Sequence, residues 1–308
     1  MVGCGYFTYV IIELSKKEEV TMKKKYNIAG IKIELNYHYD DFLKGNIESY
    51  LMHEDEACDY EIQVFLRDEI EKPEGSTNSK MNPYIIFGEK QRIIYALNAN
   101  GDVKELITHS NDYRYTKIEM NPSLLKNPAE VEYVMLGVTF LEIALRCGFL
   151  PIHAAAILYR DEAILFSAPS QTGKSTHAKI WVNNFEGAEL LNDDKPLLKL
   201  VDNQIIVYSS PFSGKTSINQ NRHAPLKSII FLRQGLTNIV SPMTEEGKIE
   251  NLMRNILRPD DADLWDQVLD KIAKLMHQIP IYQIEATMEI EAAIAVHDMI
   301  YKGDYYEN

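Results

Sequence analysis

The run Ala163-Ile164-Leu165-Phe166-Ser167 leads directly into Ala168-Pro169-Ser170-Gln171-Thr172-Gly173-Lys174-Ser175-Thr176, and the chain then continues to Asn183 in helix-compatible residues. This order narrows the choice of fold sharply. It asks for a buried strand, a loop of small residues closed by Gly-Lys-Ser, and a helix that starts where the loop ends. Backbone N–H groups at such a helix start carry partial positive charge and suit the oxygens of a phosphate. Gly173 permits close backbone approach. In a loop of this kind the lysine, Lys174, reaches the β- and γ-phosphates, and the hydroxyl of Ser175 binds Mg²⁺. Ser170, Gln171, Thr172, Gly173, Lys174, Ser175 and Thr176 are therefore the expected nucleotide contacts. One position departs from G-x-x-x-x-G-K-S/T. Ala168 stands where the first glycine would be, and Pro169 follows it with no N–H to donate and a fixed φ, so the loop is expected to be stiff, with donors from Ser170 onward. The alternative is a plain Gly-Lys turn between a strand and a helix.

Downstream, Leu190-Leu191-Asn192-Asp193-Asp194-Lys195-Pro196 carries two apolar residues into adjacent carboxylates. Successive side chains of a strand face opposite ways. At a strand end, one aspartate can thus face a metal ion while the other faces an acceptor hydroxyl, and phosphoryl transfer uses both roles. The same letters also suit a turn. Taken with the upstream loop, they point to paired functional carboxylates.

These motifs together resemble a known family. Pro151 to Leu198, PIHAAAILYRDEAILFSAPSQTGKSTHAKIW followed by ELLNDDKPLL, is similar to the catalytic domain of HPr kinase/phosphorylase, whose nucleotide-binding core is shared with ATP-dependent phosphoenolpyruvate carboxykinase. The family pattern is a His with small and aliphatic residues, a short strand pair, a phosphate loop, a helix and an Asp-Asp pair. His153, Lys174, Ser175, Asp193 and Asp194 fall on its positions. The resemblance implies a P-loop α/β catalytic domain using ATP and Mg²⁺. It implies Asp193 as general base toward a hydroxyl, Asp194 and Ser175 near the metal, and His153 orienting the acidic pair. The segments Ser210-Pro211-Phe212-Ser213-Gly214-Lys215 and Asn221-Arg222-His223-Ala224-Pro225-Leu226-Lys227, the second running into Ser228–Leu232, are also typical of divergent members. The glutamate-and-glycine signature of HPr kinases proper and their basic, Pro-rich loop are missing. Both absences argue against HPr as acceptor and against the reverse phosphorylase reaction.

The resulting expectation is an ATP- and Mg²⁺-dependent kinase acting on a hydroxyl, with Asp193, His153 and Lys174 catalytic and Ser175 and Asp194 at the metal. The acceptor would be a Ser or Thr of a protein or peptide, or a small hydroxyl metabolite. A module that binds nucleotide without transfer is the rival, and the Ala168-Pro169 departure keeps a decayed site open. A carboxykinase-like lyase is less well matched, since no cluster of metal ligands and anion-binding arginines stands out. Members of the family are often multimeric, which puts a homo-oligomer among the expected partners.

Composition bounds the rest. A length of 308 residues allows one large or two moderate domains, and 45% hydrophobic residues suffice for a real core. A net charge of −13 argues against nucleic acid or an anionic membrane as partner. Cys4, Cys58 and Cys147 are scattered without metal spacing, and their odd number suits reduced thiols in a cytoplasm. Tyr9–Ile12 is too short an apolar run for a membrane span or signal segment. Met22 before Lys23-Lys24-Lys25 is a candidate initiator, which would make 1–21 an upstream extension; the intact mass of the native protein tests that.

Residues 22–126 are expected to form a smaller N-terminal α/β domain with a mostly antiparallel sheet, and 127–308 the nucleotide-binding domain. Alternation predicts one half-buried strand from Tyr26 to Tyr37, then a short amphipathic helix over 40–51 and strands at Tyr60–Leu66, Tyr84–Phe87, Arg92–Leu97, Val103–Thr108 and Tyr113–Met120. The polar stretch 71–83 reads as a loop. Asn127-Pro128-Ala129-Glu130 caps a helix that ends at Gly148. Further strands are expected at Gln204–Tyr208, Ser228–Leu232 and Pro280–Ile284, and helices over 245–257, 260–278 and 289–301.

Other residues divide between chemistry and packing. His177, Trp181, Trp265, Tyr301, Tyr305 and Tyr306 read as packing or surface groups. Lys215 and Arg222 are evenly balanced between phosphate contact and surface roles. Arg233, Asn219 and Asn221 are weaker candidates.

Overall fold

A hairpin of β9 (Ala154–Tyr159) and β10 (Glu162–Ser167) sets the frame. Its strands are apolar almost throughout and buried, as continuous aliphatic runs covered on both faces must be. Arg160 and Asp161 join them in a two-residue turn with both φ positive, the backbone that matches the twist of paired strands. The structure, a computed structural model, describes residues 22–77, 82–169, 172–212 and 220–301. Segment 1–21, Ser170, Gln171, Lys215, Asn219, Tyr305 and Tyr306 lie outside the described residues.

Among the described residues, two mixed sheets and six α-helices make an α/β fold. The first sheet is built from β1 (Met22–Ile28), β2 (Ile31–Tyr37), β3 (Tyr60–Leu66), β4 (Tyr84–Phe87), β5 (Gln91–Leu97), β6 (Val103–Ser110) and β7 (Tyr115–Met120), in the order β1-β2-β3-β7-β6-β5-β4. The β2–β3 and β3–β7 pairs are parallel and the others antiparallel. The single strand expected over Tyr26–Tyr37 is in fact a hairpin, turning at Ala29-Gly30 with both φ positive. The expected helix over 40–51 shrinks to α1 (Lys44–Ile47) and a 3₁₀ turn at Glu48–Tyr50. Gly45 weakens the helix interior, and Leu51 leaves it to bridge to Tyr26.

Helix α2 (Pro128–Arg146) covers this sheet. Asn127 caps it, its Oδ1 accepting the Glu130 N–H at 3.4 Å. Gly148 (φ +86) ends it, and Phe149 N–H and Gly148 N–H return to the carbonyls of Ala144 and Leu145. Leu136, Phe140 and Ile143 pack against Ile33, Leu35, Ile62 and Ile118.

The second sheet follows the order β11-β9-β10-β14-β13-β12-β8, with β11 (Glu189–Asn192), β14 (His223–Gln234), β13 (Gln204–Tyr208), β12 (Leu197–Val201) and β8 (Leu150–Pro151). Beyond β14 lie β16 (Ile281–Ala286), parallel to it, and β15 (Ile239–Pro242), antiparallel to β16. Strand β10 is parallel to β14. Side chains alternate between two cores. Ala156, Leu165, Ile229 and Phe231 meet α4 (Glu245–Asn255) and α5 (Ala262–Gln278), where Val268, Ile272 and Leu275 form the apolar stripe. Ala155, Ile157, Phe166, Ile230 and Ile284 meet α3 (Lys174–Asn184) and α6 (Ile290–Tyr301). Trp181, fully buried and stacked on Phe185 at 4.6 Å, belongs to this second core, and Tyr301 joins it; Trp265 packs against the first. Among the described residues no helix is long and apolar enough to cross a membrane.

Candidate functional site

At the carboxyl end of β10 the loop and the acidic segment meet. Ser167 closes the strand, its Oγ donating to the His153 carbonyl at 2.9 Å. Gly173 is the residue before α3, with φ +110 and ψ 19, a left-handed backbone that glycine adopts without strain. No side chain caps this helix, and its first turn holds no acidic residue. Its leading N–H groups therefore face the loop without a built-in anion. Thr172 N–H returns to the Pro169 carbonyl at 3.3 Å; Ser175 is half-buried in the first turn and Thr176 is exposed.

Lys174 is only 8% exposed, and its Nζ donates across the loop to the Ala168 carbonyl at 3.1 Å. Burial pushes its ammonium below the ordinary lysine range; Asp194 and Asp193 are close enough to oppose the fall, and Lys195 adds to it. A buried lysine wants a counter-charge. Among the described residues no carboxylate lies within ion-pair distance of it.

The acid pair sits in the bend after β11. Asp193 is buried and Asp194 half-buried. Asn192 builds the bend: its Oδ1 accepts the Asp194 and Lys195 N–H groups at 3.0 and 2.8 Å, and its Nδ2 donates to the Ser210 carbonyl at 2.9 Å. The Asp194 carbonyl accepts the Ala154 N–H at 3.1 Å, which sets this bend beside the start of β9. His153, just before β9, brings Nε2 to 3.0 Å from Asp194 Oδ1, and Lys195 Nζ lies 2.6 Å from Oδ2. Its own backbone N–H is held by the Asn255 carbonyl at 2.6 Å. Burial alone would raise the Asp194 carboxyl; the hydrogen bonds and charges of His153 and Lys195 outweigh it and hold the group below the usual carboxylate range. His153, Lys174, Asp193 and Asp194 thus come together, with Ser175 in the turn that follows Lys174.

Other residues lie elsewhere. Arg222 pairs with Glu189 at the start of β11, the end away from the acid pair, and with Gln220 Oε1 at 3.1 Å. Asn221 reaches the Asn27 carbonyl at 3.4 Å. Arg233 is exposed near the end of β14. His177 is 2% exposed, lies against Phe166, and is pushed down by burial. Sequence reasoning did not single out Asn192, Lys195, Asn255 or Met288. The turn letters around Asp193 carried a signal for the first two. Nothing local marks Met288, which lies against Gly173 so closely that a Cβ there would sit 2.6 Å from its Cε.

No group of three or more His, Cys, Asp or Glu among the described residues could hold a metal on protein ligands alone. Mg²⁺ in nucleotide sites is commonly held by one or two protein oxygens plus phosphates, and an ionised Asp194 with the Ser175 hydroxyl fits that donor set. A nucleotide triphosphate fits the uncapped helix start and the buried Lys174.

No family model matches the chain, and no curated protein does. Among solved structures, the Hpr(Ser) kinase/phosphatase from Coxiella burnetii is similar to it, with a TM-score of 0.31 and 14% sequence identity over 50% of this chain and 98% of that one.

Proposed function

We propose that this protein is an ATP- and Mg²⁺-dependent kinase that transfers the γ-phosphoryl group to a hydroxyl of a protein, peptide or small metabolite. The observation that carries the reading is Lys174: a buried ammonium, turned into the loop, within electrostatic reach of two adjacent aspartates. When bound, Mg·ATP would supply the transferable phosphoryl group and the metal's charge. Lys174 would leave the Ala168 carbonyl for the phosphate oxygens. Asp193 would take the proton of the acceptor hydroxyl as its oxygen forms the new O–P bond and the bond to the departing ADP breaks. Ser175 and Asp194 would hold the metal. His153 would fix the orientation of Asp194 through the 3.0 Å contact. The bend built by Asn192, whose Oδ1 accepts the Asp194 and Lys195 N–H groups, would hold the two carboxylates in place for these roles.

One observation favours a second reading, a module that binds nucleotide without transferring phosphate: both Asp194 carboxylate oxygens already have partners, Lys195 at 2.6 Å and His153 at 3.0 Å. Incubation with γ-labelled Mg·ATP and candidate acceptors separates the two. The kinase reading expects label on a hydroxyl with the wild type and its loss by orders of magnitude with Asp193→Asn. Nucleotide bound equally by both proteins, with no label transferred by either across the acceptor classes, would leave only the binding module.

A further inference from the structure

Parallel strands β10, β14 and β16 present their carboxyl ends at one edge of the second sheet, the edge at which open α/β sheets take their ligands. The acid pair and His153 flank β10 on its β9–β11 side. The other side is formed by the segments leaving β14 and β16. The β14–β15 connection crosses the end of β16 and is tied down there. Gly235 N–H donates to the Ala286 carbonyl at 3.1 Å, and Asn238 Oδ1 accepts both the N–H and the hydroxyl of Thr287, at 2.9 and 3.1 Å. The next residue is Met288, the side chain that lies on Gly173 of the phosphate loop. Three apolar side chains of these two segments stay in solvent: Leu236 at 95% exposure, Ile239 at 62% and Met288 at 43%.

Scattered exposed apolar groups need no explanation. These sit on tethered segments beside the loop, on the flank away from the carboxylates. A base linked to phosphates held by the loop has to leave on such a flank, because the other carries the acceptor chemistry. We propose that Met288 and Leu236 form the apolar wall of a nucleobase site for the nucleotide whose phosphates the loop holds; the proposal rests on the nucleotide reading of residues 168–176. A purine is apolar on its faces and polar at its edge. Met supplies a polarizable surface that favours aromatic rings. Both contacts of Asn238 Oδ1 are made to Thr287, so what Asn238 can offer a ring edge is its NH₂, a match for a purine ring nitrogen.

The test compares calorimetric affinities for Mg·ATP and for Mg·tripolyphosphate, which keeps the phosphates and lacks the base. Both Met288→Ala and Leu236→Ala replace exposed side chains. Each is expected to weaken Mg·ATP binding by roughly tenfold relative to tripolyphosphate. An ATP-to-tripolyphosphate affinity ratio equal to that of the wild type in both variants would overturn the base site. Lys174→Ala is the separate control on the underlying reading and should abolish binding of both ligands. Tripolyphosphate bound equally by wild type and Lys174→Ala, or neither ligand bound by the wild type, would overturn the phosphate loop and the base site with it.

Discussion

Lys174 and Asp193 make different demands on a mutational test. The first is a buried cation whose hydrogen-bond partner is a loop carbonyl, so its removal takes away the charge that would meet the phosphates. Lys174→Ala is expected to lose nucleotide binding altogether, read by calorimetry. Asp193 is buried in the bend beyond β11 and would act on the acceptor proton. Asp193→Asn keeps shape and volume, so binding should persist within a few-fold while turnover falls by about 10²–10⁴, the usual share of a general base. At this scale the candidate site is legible in the sequence because its residues are contiguous: Gly-Lys-Ser-Thr and Asp-Asp can each be picked out without knowing the fold. Met288 could not be read that way. Its place against Gly173 comes from β16 lying two strands from β10, a relation that no local pattern records.

At the scale of elements, α2 carries a titratable group whose setting gives a pH signature. Glu132 is fully buried and accepts the His38 and Tyr39 N–H groups at 2.9 and 2.7 Å. Burial outweighs these bonds and pushes its carboxyl from 4.5 up to about 7. A carboxyl raised in the folded state favours folding while protonated, so its contribution is fully present below pH 4.5 and is lost as pH rises to about 7. His109 works the other way: burial, with Arg92 and Arg146, pushes it from 6.5 down to about 3, so stability is lost as pH falls through that window. The wild-type curve mixes the two, and the difference between wild type and Glu132→Gln isolates the first. Chemical denaturation should show the wild type losing about 3 kcal/mol relative to Glu132→Gln between pH 4.5 and 7. A flat difference would contradict it. The elements themselves were unevenly legible. β10 and α3 stand out because an apolar run meets Gly-Lys, and α2 because Asn-Pro and Gly bracket it. The β1–β2 hairpin hid behind unbroken alternation, since Ala29 occupies a positive-φ turn position that Asn or Asp usually announces. β8 and β15 were missed as short strands whose pairing depends on neighbours far along the chain, and β12 was missed although it forms a hairpin with β13 through Asp202-Asn203, both of positive φ.

The whole molecule is tied across its two sheets. Arg92 of β5 donates to Glu142 of α2 at 2.6 Å and also meets Asp260 before α5. Tyr50 OH lies 2.8 Å from Ser209 Oγ, and Phe212 packs on Phe140 at 5.3 Å. Helix α2 is shared: Leu136 and Phe140 serve the first sheet's core and Leu145 serves the second. Arg92→Ala leaves the half-buried Glu142 without its guanidinium partner and should cost about 2–3 kcal/mol in denaturant unfolding, partly recovered by adding Glu142→Gln. A cost below about 1 kcal/mol would show that this junction is solvated and contributes like a surface pair.

The central claim is that residues 168–176 enclose the phosphates of a nucleotide. Crystals grown with Mg·ATP test it most directly. The account predicts triphosphate density between the start of α3 and the acid pair, with Lys174 Nζ moved off the Ala168 carbonyl onto a phosphate oxygen. An empty loop in fully occupied crystals, with Lys174 still resting on that carbonyl or the triphosphate bound elsewhere, would contradict it.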